Sequence, residues 1–195
     1  MAAAAAAKAA GKLIVFAAPS GTGKSTIAKR LLAATSNLVF SVSATTRPKR
    51  TGETDGVDYF FLSEDEFREH VANGDFLEHE EVYAGRFYGT LKEKIDAALQ
   101  AGKNLLLDLD VKGAMSIKQH YGERAYLIFI KPPSLEALRE RLSARRSETE
   151  EMLTKRLERA KFEMSFAEKF DCTITNDDLE KAVEDVREKV NSFIY

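Results

Sequence analysis

The sequence contains a single cysteine, Cys172, among its 195 residues. One cysteine excludes an intrachain disulfide, and we interpret Cys172 as a small core residue. Basic residues (29) do not outnumber acidic ones (31), so the formal net charge is −2. The chain as a whole is therefore not a cationic nucleic-acid binder, and we expect no nucleic-acid partner. Anionic ligands must be met by local basic clusters, such as those at 47–50 and 139–146.

Long apolar runs are also missing. No stretch reaches the ~20 continuous apolar residues that a transmembrane helix needs, so we expect no membrane partner. Residues 1–10 are almost pure alanine and lack the leucine- or valine-rich centre of a signal peptide. We interpret them as a disordered or tag-like tail outside the fold. Without a signal peptide or a disulfide framework, the sequence favours a cytoplasmic location.

Short apolar segments alternate with amphipathic ones along most of the chain. The runs at 13–17, 104–109 and 125–130 contain almost only apolar residues, as in strands that are buried on both faces of a parallel sheet. The predicted fold class is therefore α/β, with a parallel sheet flanked by helices. We predict further strands at 38–42, 57–62, 76–88 and 171–175. Helices are predicted at 25–34, 64–73, 91–101, 111–120, 135–145 and 148–169, followed by a last helix capped by Asp177.

The segment 43–90 differs in texture from its flanks, because it is polar, aromatic and strand-like. We predict one domain over residues 11–195. Within it, a core is formed by 11–42, 91–134 and 165–195, a β-rich insertion by 43–90, and a charged helical segment by about 135–164.

Residues 18–25 (APSGTGKS) nearly match the Walker A pattern GxxxxGK[ST] and lie between a predicted strand and a predicted helix. Glycines let successive backbone amides point into one concavity, to which the helix adds its positive end. Lys24 can reach the β- and γ-phosphates, and the Ser25 hydroxyl can bind Mg²⁺. Ala18 stands where the pattern has glycine, but it adds only a methyl group. The loop predicts a nucleoside triphosphate ligand and leaves the reaction open.

Three features of the insertion are suited to a nucleoside monophosphate. Arg47 and Arg50 lie on one turn, and guanidinium groups bind phosphate oxygens bidentately. Tyr59 and Tyr88 lie in strand-like segments. The Glu78 carboxylate could accept hydrogen bonds from N1–H and N2–H₂ of guanine, a pair of donors that adenine lacks. Each feature also has an ordinary interpretation, namely a solvated basic loop, packed tyrosines and a surface glutamate.

Taken together, these segments resemble the guanylate kinase family, and they occur in the family's order from Lys12 to the C-terminus. The resemblance rests on residues 18–26 (APSGTGKST), 40–47 (FSVSATTR), 56–61 (GVDYFF), 76–78 (FLE), 87–90 (FYGT), 107–110 (LDLD), 131–134 (KPPS), 155–157 (KRL) and 175–178 (TNDD).

The resemblance implies a P-loop NTPase fold whose inserted subdomain 43–90 binds GMP and whose helical segment 135–164 forms a lid. It implies that ATP phosphorylates GMP, and dGMP as well, to GDP with release of ADP, as part of purine nucleotide metabolism. The implied ATP-binding residues are Ala18, Pro19, Ser20, Gly21, Thr22, Gly23, Lys24, Ser25, Thr26 and Asn176. The implied GMP-binding residues are Ser43, Arg47, Arg50, Tyr59, Glu78, Tyr88, Thr90 and Asp110. The implied catalytic residues are Lys24, Arg47, Arg145 and Arg156, and Mg²⁺ is held by Ser25 and Asp108, partly through water.

Several alternatives stay open at this point. Arg146 follows Arg145 where many relatives have glycine, so either arginine could reach the phosphates. The chain could be a non-catalytic guanylate-kinase-like module that binds phosphopeptides, or a related P-loop kinase that acts on a phosphorylated ribose. A P-loop GTPase is disfavoured because the sequence has no Asn-Lys-x-Asp motif. A monomer and a homodimer are both compatible with the sequence.

Overall fold

A computed structural model describes residues 10–83, 85–144 and 150–195. The predicted tail, apart from Ala10, lies outside these residues. The strands are β1 (Leu13–Ala17), β2 (Leu38–Phe40), β3 (Ala44–Thr45), β4 (Phe60–Phe61), β5 (Phe76–Tyr83), β6 (Arg86–Leu91), β7 (Asn104–Asp108), β8 (Ala125–Lys131) and β9 (Cys172–Thr175). The helices are α1 (Lys24–Ala34), α2 (Glu64–Ala72), α3 (Lys92–Gln100), α4 (Val111–Tyr121), α5 (Leu135–Ser143), α6 (Glu150–Met164) and α7 (Leu179–Ile194).

Five strands form a parallel sheet in the order β2-β7-β1-β8-β9. The strand β1 is central, and its residue Val15 pairs with Leu107 of β7 on one side and Leu127 of β8 on the other. The helices that connect parallel strands must cover the faces of such a sheet. The predicted α/β fold class with a parallel sheet flanked by helices is confirmed.

The residues of β1 alternate between two hydrophobic cores, which explains why the whole strand is apolar. Leu13 and Val15 pack in one core with residues of α3 and α4, including Ile95. Ile14 and Phe16 pack in the other core with residues of α1 and α7. All residues of β1 are fully buried. A strand with two dry faces cannot show the polar alternation of a surface strand.

A second, four-stranded sheet has the order β4-β3-β6-β5 and lies within the predicted insertion. Its strands β5 and β6 form an antiparallel hairpin, and β3 is antiparallel to β6 but parallel to β4. The helix α2 covers this sheet through Phe67, which stacks on Phe76 at 4.4 Å between ring centroids. The predicted Ser63–Glu66 capping box at the start of α2 is confirmed.

Several predicted boundaries are wrong at their ends. The strand predicted at 57–62 is only β4, because hydrogen bonds from the amides of Val57 and Asp58 to the Thr54 carbonyl make a turn there. The last helix is capped by Asp178, whose side chain accepts from the Lys181 amide, and not by Asp177. Helix α6 ends at Met164 and not at 169. In the described ranges, no helix combines the length and apolar character that crossing a bilayer requires.

Candidate active site

The loop between β1 and α1 curls around a cavity of about 610 Å³. Its two glycines have left-handed backbones, with φ of 91° at Gly21 and 89° at Gly23. Gly23 is also the residue before α1, so the helix points its amide-bearing end at the cavity. A side chain at Gly23 is disfavoured for two reasons. The left-handed backbone is strained for any other residue, and a Cβ would lie 2.5 Å from Nδ2 of Asn176. The sequence motif therefore forms a cradle for an anion.

Lys24 places its ammonium group at the carboxyl edge of the parallel sheet. It forms an ion pair with Asp108, the last residue of β7, and lies 3.4 Å from the Leu109 carbonyl oxygen. Both side chains line the same cavity as the loop. The cation is thus held by one carboxylate at the position where the phosphates of a nucleotide would compete for it.

A second cavity of about 330 Å³ opens against the inserted sheet. Five of the residues that the resemblance assigns to GMP line this cavity, and they come from separate segments of the chain. Asp108, Leu109 and Asp110 line both cavities. The chain that follows β7 is therefore the common wall of two adjacent sites. The GMP-assigned lining residues are Ser43, Tyr59, Glu78, Tyr88 and Asp110.

Glu78 is held at the junction of the two sheets. The pairing of β5 with β6 shifts between Phe76 and Glu78. Leu77 packs into the core of the parallel sheet, and the next residue, Glu78, points the other way and lines the second cavity. The Thr90 hydroxyl donates to Glu78 Oε1 at 2.6 Å. Burial raises the pKa of Glu78, the Thr90 hydrogen bond opposes the rise, and the charge of Asp110 adds to it. A buried carboxylate of this kind is a strong hydrogen-bond acceptor whenever it is ionised.

Arg47 is only 7 % exposed, which is unusual for a charged side chain. Its Nη2 donates to Oε1 of Glu53 at 2.7 Å, and its guanidinium carbon lies 5.3 Å from the ring centroid of Tyr59. The hydrogen bond to Glu53 raises the pKa of Arg47 and lowers the pKa of Glu53. Arg50 has an exposed side chain, and its backbone amide donates to the other Glu53 oxygen. Glu53 thus holds both the Arg47 side chain and the backbone at Arg50 in place.

Two residues assigned to the ATP side lie against the phosphate loop. Arg156 of α6 lines the first cavity, and its Nη1 is 3.3 Å from the Ser20 hydroxyl. Asn176 is buried, and its Nδ2 donates to the Thr22 carbonyl oxygen at 2.6 Å. Arg145 and Arg146 lie outside the described residues.

Our sequence analysis missed a charged cluster between the two cavities. Glu163 is nearly buried, lines the first cavity and accepts from Nε of Arg159 at 3.0 Å. Burial raises the pKa of Glu163, while the Arg159 charge lowers it. Arg159 Nη2 also lies 3.9 Å from Oε1 of Glu80 on β5. The only sequence signal was an i,i+4 pair, which resembles the many solvated pairs of α6.

The residues predicted to hold a metal fit a hard divalent cation. Ser25 and Asp108 present a hydroxyl and a carboxylate oxygen to the same cavity, and Mg²⁺ prefers oxygen ligands. Two protein ligands suffice for Mg²⁺, which keeps several waters and binds substrate phosphates as well.

The strand, glycine loop and helix, with lysine and serine at the carboxyl edge of a parallel sheet, define the class of P-loop nucleotide-binding proteins. A family profile described as guanylate kinase matches residues 10–193. The chain belongs to the guanylate kinase family, which confirms the resemblance drawn from its motifs.

Individual relatives agree over nearly the whole chain. A guanylate kinase of Chlorobium chlorochromatii (strain CaD3) is 54% identical over 184 residues, which cover 94% of this chain and 96% of that one. A guanylate kinase of Bacteroides fragilis (strain YCH46) is 52% identical over 183 residues, which cover 94% and 90%. The crystal structure of guanylate kinase from Anaplasma phagocytophilum superimposes with a TM-score of 0.72 at 35% identity, covering 96% of this chain and 88% of that chain.

Proposed function

We propose that this protein transfers the γ-phosphoryl group of ATP to GMP, and to dGMP, forming GDP and ADP with the help of Mg²⁺. The observation that carries this proposal is the pair of cavities that share the wall 108–110. The first cavity, which we call the donor cavity, contains the phosphate cradle. The second, which we call the acceptor cavity, contains the Glu78 carboxylate, which could accept hydrogen bonds from guanine. A donor and an acceptor nucleotide would therefore meet end to end.

The donor cavity supplies charge where the reaction develops it. Phosphoryl transfer has a loose transition state with charge spread over the phosphoryl oxygens, so a protein contributes mainly alignment and electrostatic stabilisation. Backbone amides of the loop and the Lys24 ammonium would bind the β- and γ-phosphates. Ser25 and Asp108 would hold Mg²⁺, partly through water, and the bound ion would neutralise negative charge on the nucleotide phosphates. Arg156, beside Ser20, adds a mobile cation from α6.

The acceptor cavity would bind GMP at both ends. Arg47, Arg50, Tyr59 and Tyr88 are proposed to hold its phosphate, with Arg47 already oriented by Glu53. Glu78, which Thr90 fixes, is proposed to accept from N1–H and N2–H₂ of guanine. A phosphate dianion is an adequate nucleophile, so its oxygen attacks the γ-phosphorus in line and no general base is required.

Several finer assignments accompany this proposal. Residues 43–90 act as the GMP-binding subdomain and residues 135–164 as a lid, which excludes water when both nucleotides are bound. Arg145 is proposed as a second lid cation. The protein works in the cytoplasm on small-molecule substrates, as a monomer or a homodimer.

Turnover with ATP and Mg²⁺ tests the reaction directly. GMP, dGMP, AMP, UMP and CMP are compared in a coupled assay for ADP release. We expect rapid turnover with the two guanine nucleotides only. Equal rates across the panel, or no ADP release with any acceptor, would contradict the proposal.

Glu78→Gln tests the guanine contact itself. The amide removes one acceptor and adds a donor that faces a donor on the base, so we expect kcat/KM for GMP to fall by roughly 10- to 100-fold. The matched control is Glu69→Gln, at an exposed position of α2, which should leave kcat/KM unchanged. Unchanged kinetics in Glu78→Gln would favour an acceptor without guanine, such as a phosphorylated ribose.

A further inference from the structure

Helix α4 begins directly against the two carboxylates of the acceptor cavity. Asp110 precedes the helix and caps it, because its Oδ1 accepts from the backbone amide of Gly113 at 2.7 Å. Glu78 approaches the same glycine from β5 on the other side. One residue of α4 therefore contacts both acids that are proposed to recognise guanine.

Gly113 leaves almost no room for a side chain. A Cβ built at this position would lie 3.2 Å from Cγ of Glu78, 3.2 Å from Oδ1 of Asp110 and 3.4 Å from Cβ of Leu109. The two separations of 3.2 Å are tighter than most contacts of a real Cβ, so Glu78 or Asp110 would have to give way slightly, whereas the separation from Leu109 is an ordinary contact. The backbone of Gly113 is helical, so a left-handed conformation does not account for the glycine.

Local helix energetics argue against glycine here. Gly113 lies in the first turn of α4, where alanine would favour the helix, and glycine is the poorest helix former apart from proline. Gly113 weakens its own helix, and its backbone conformation does not require glycine. The reason for glycine at this position must therefore be the space left by the missing Cβ. The missing Cβ allows Glu78 and Asp110 to approach the helix end.

We infer that Gly113 is a positioning residue for guanine recognition, which holds Asp110 through its amide and lets Glu78 sit at hydrogen-bonding distance from the base. The inference rests on the proposed function. Gly113 itself touches no substrate, and it acts only through the positions of the two carboxylates.

The positions of these carboxylates matter because guanine recognition depends on direction. Glu78 is held by Thr90, whose hydroxyl donates a short hydrogen bond to its carboxylate. A shift of a few tenths of an ångström at Cγ would rotate the carboxylate away from the N1–H and N2–H₂ pair and weaken both bonds. The phosphate cradle of the donor cavity would be affected much less, since it is formed by the loop 18–25 and Asp110 contributes only to the shared wall.

The test is Gly113→Ala, studied in the full chain with GMP and with inosine monophosphate, which lacks the 2-amino group. We expect KM for GMP to rise about five- to tenfold, as for a weakened hydrogen bond to a charged group. KM for ATP should stay within about twofold. The preference for GMP over inosine monophosphate should fall, and Tm should change little, because the helix propensity of alanine opposes the cost of the crowded Cβ.

Ser116→Ala, one turn further along α4, is the control and should change none of these quantities. An unchanged KM for GMP in Gly113→Ala would overturn the inference. So would a lowered Tm with equal rises in the KM values of both substrates, because that pattern indicates general damage to the fold. If the unmodified chain does not phosphorylate GMP, the proposed function fails, and this outcome is separate from an effect of the glycine.

Discussion

The two cavities differ in what binds the ligand, which is mainly backbone amides of one loop in the donor cavity and side chains of several segments in the acceptor cavity. The phosphate cradle of the donor cavity is formed by one continuous loop, residues 18–25, whose backbone amides and Lys24 supply positive charge, while residues 108–110 and side chains of α6 complete the wall. The acceptor cavity is formed by side chains from several segments of the inserted sheet and its loops, together with the end of β7. A backbone cradle is specified by a short motif, whereas a cavity of scattered side chains exists only once the fold has brought them together.

The supports of the two cavities differ in the same way. The donor loop is held from behind by a neutral hydrogen bond, from Asn176 to the Thr22 carbonyl. In the acceptor region, Arg47 is held by the Glu53 carboxylate. The first support does not depend on pH, but the second requires an ionised acid. Three substitutions test how each cavity depends on its charges and supports, and they follow in decreasing order of expected effect.

Lys24→Met removes the one ammonium group that reaches into the donor cradle from α1. Because its charge would act on the transferred phosphoryl group, we expect kcat to fall by about 10²- to 10³-fold, with a smaller change in KM for GMP. Steady-state kinetics with varied GMP measure both quantities. Lys29→Met, at an exposed position of the same helix, serves as the control and should retain full activity. A kcat within threefold of the parent would remove Lys24 from the mechanism.

Asn176→Ala tests whether the donor loop depends on its buried support. The change leaves the Thr22 carbonyl without its partner, which costs about 1–3 kcal/mol in the free energy of unfolding. We expect a lower Tm and a KM for ATP raised by about tenfold, with KM for GMP nearly unchanged. Asp177→Ala, at the exposed neighbouring position, should be neutral. A raised KM for ATP with an unchanged Tm would instead favour direct contact of Asn176 with the nucleotide.

Glu53→Gln tests the ion pair behind the acceptor arginine. The pKa of Glu53 is lowered, chiefly by the hydrogen bond from Arg47. The pair therefore stabilises the fold at pH values above the unfolded pKa of about 4.3, and this contribution is lost as the pH falls through the lower folded value. We expect the parent to have a higher Tm than Glu53→Gln near pH 7, and the difference to shrink below about pH 4.3.

Thermal unfolding scans of both proteins between about pH 7 and pH 3 measure this difference. Glu69→Gln, without the arginine partner, should track the parent at every pH. A Tm difference that is constant across the whole range would show that Glu53 acts through its shape and not its charge.

The sequence was sufficient for the parallel sheet and the donor loop. Strands buried on both faces leave runs such as 13–17 without polar residues, and the loop motif constrains the backbone over eight consecutive positions. The capping box of α2 was equally readable, because both of its partners lie within four residues. Most local patterns with a local physical cause were therefore predicted correctly, although the cap of α7 was placed one residue too early.

The interactions between distant segments could not be predicted. Nothing in the sequence marks Glu53 as the partner of Arg47, or Gly113 as the neighbour of Glu78, because these contacts arise from packing. The Glu163–Arg159 pair looked like an ordinary surface pair until α6 was placed against the donor cavity. The error at 57–62 has a local origin instead, since its aromatic residues fit a strand but the amides of Val57 and Asp58 close a turn on the Thr54 carbonyl. The roles of the site residues remain predictions.

The hydrogen bond between Asn176 and Thr22 joins residues 154 positions apart. During synthesis, the loop near the start of the chain emerges long before the strand that completes it. Asn176, directly after β9, must be synthesised before the cradle has its full support, so the phosphate loop reaches its final form only when nearly the whole chain has been made.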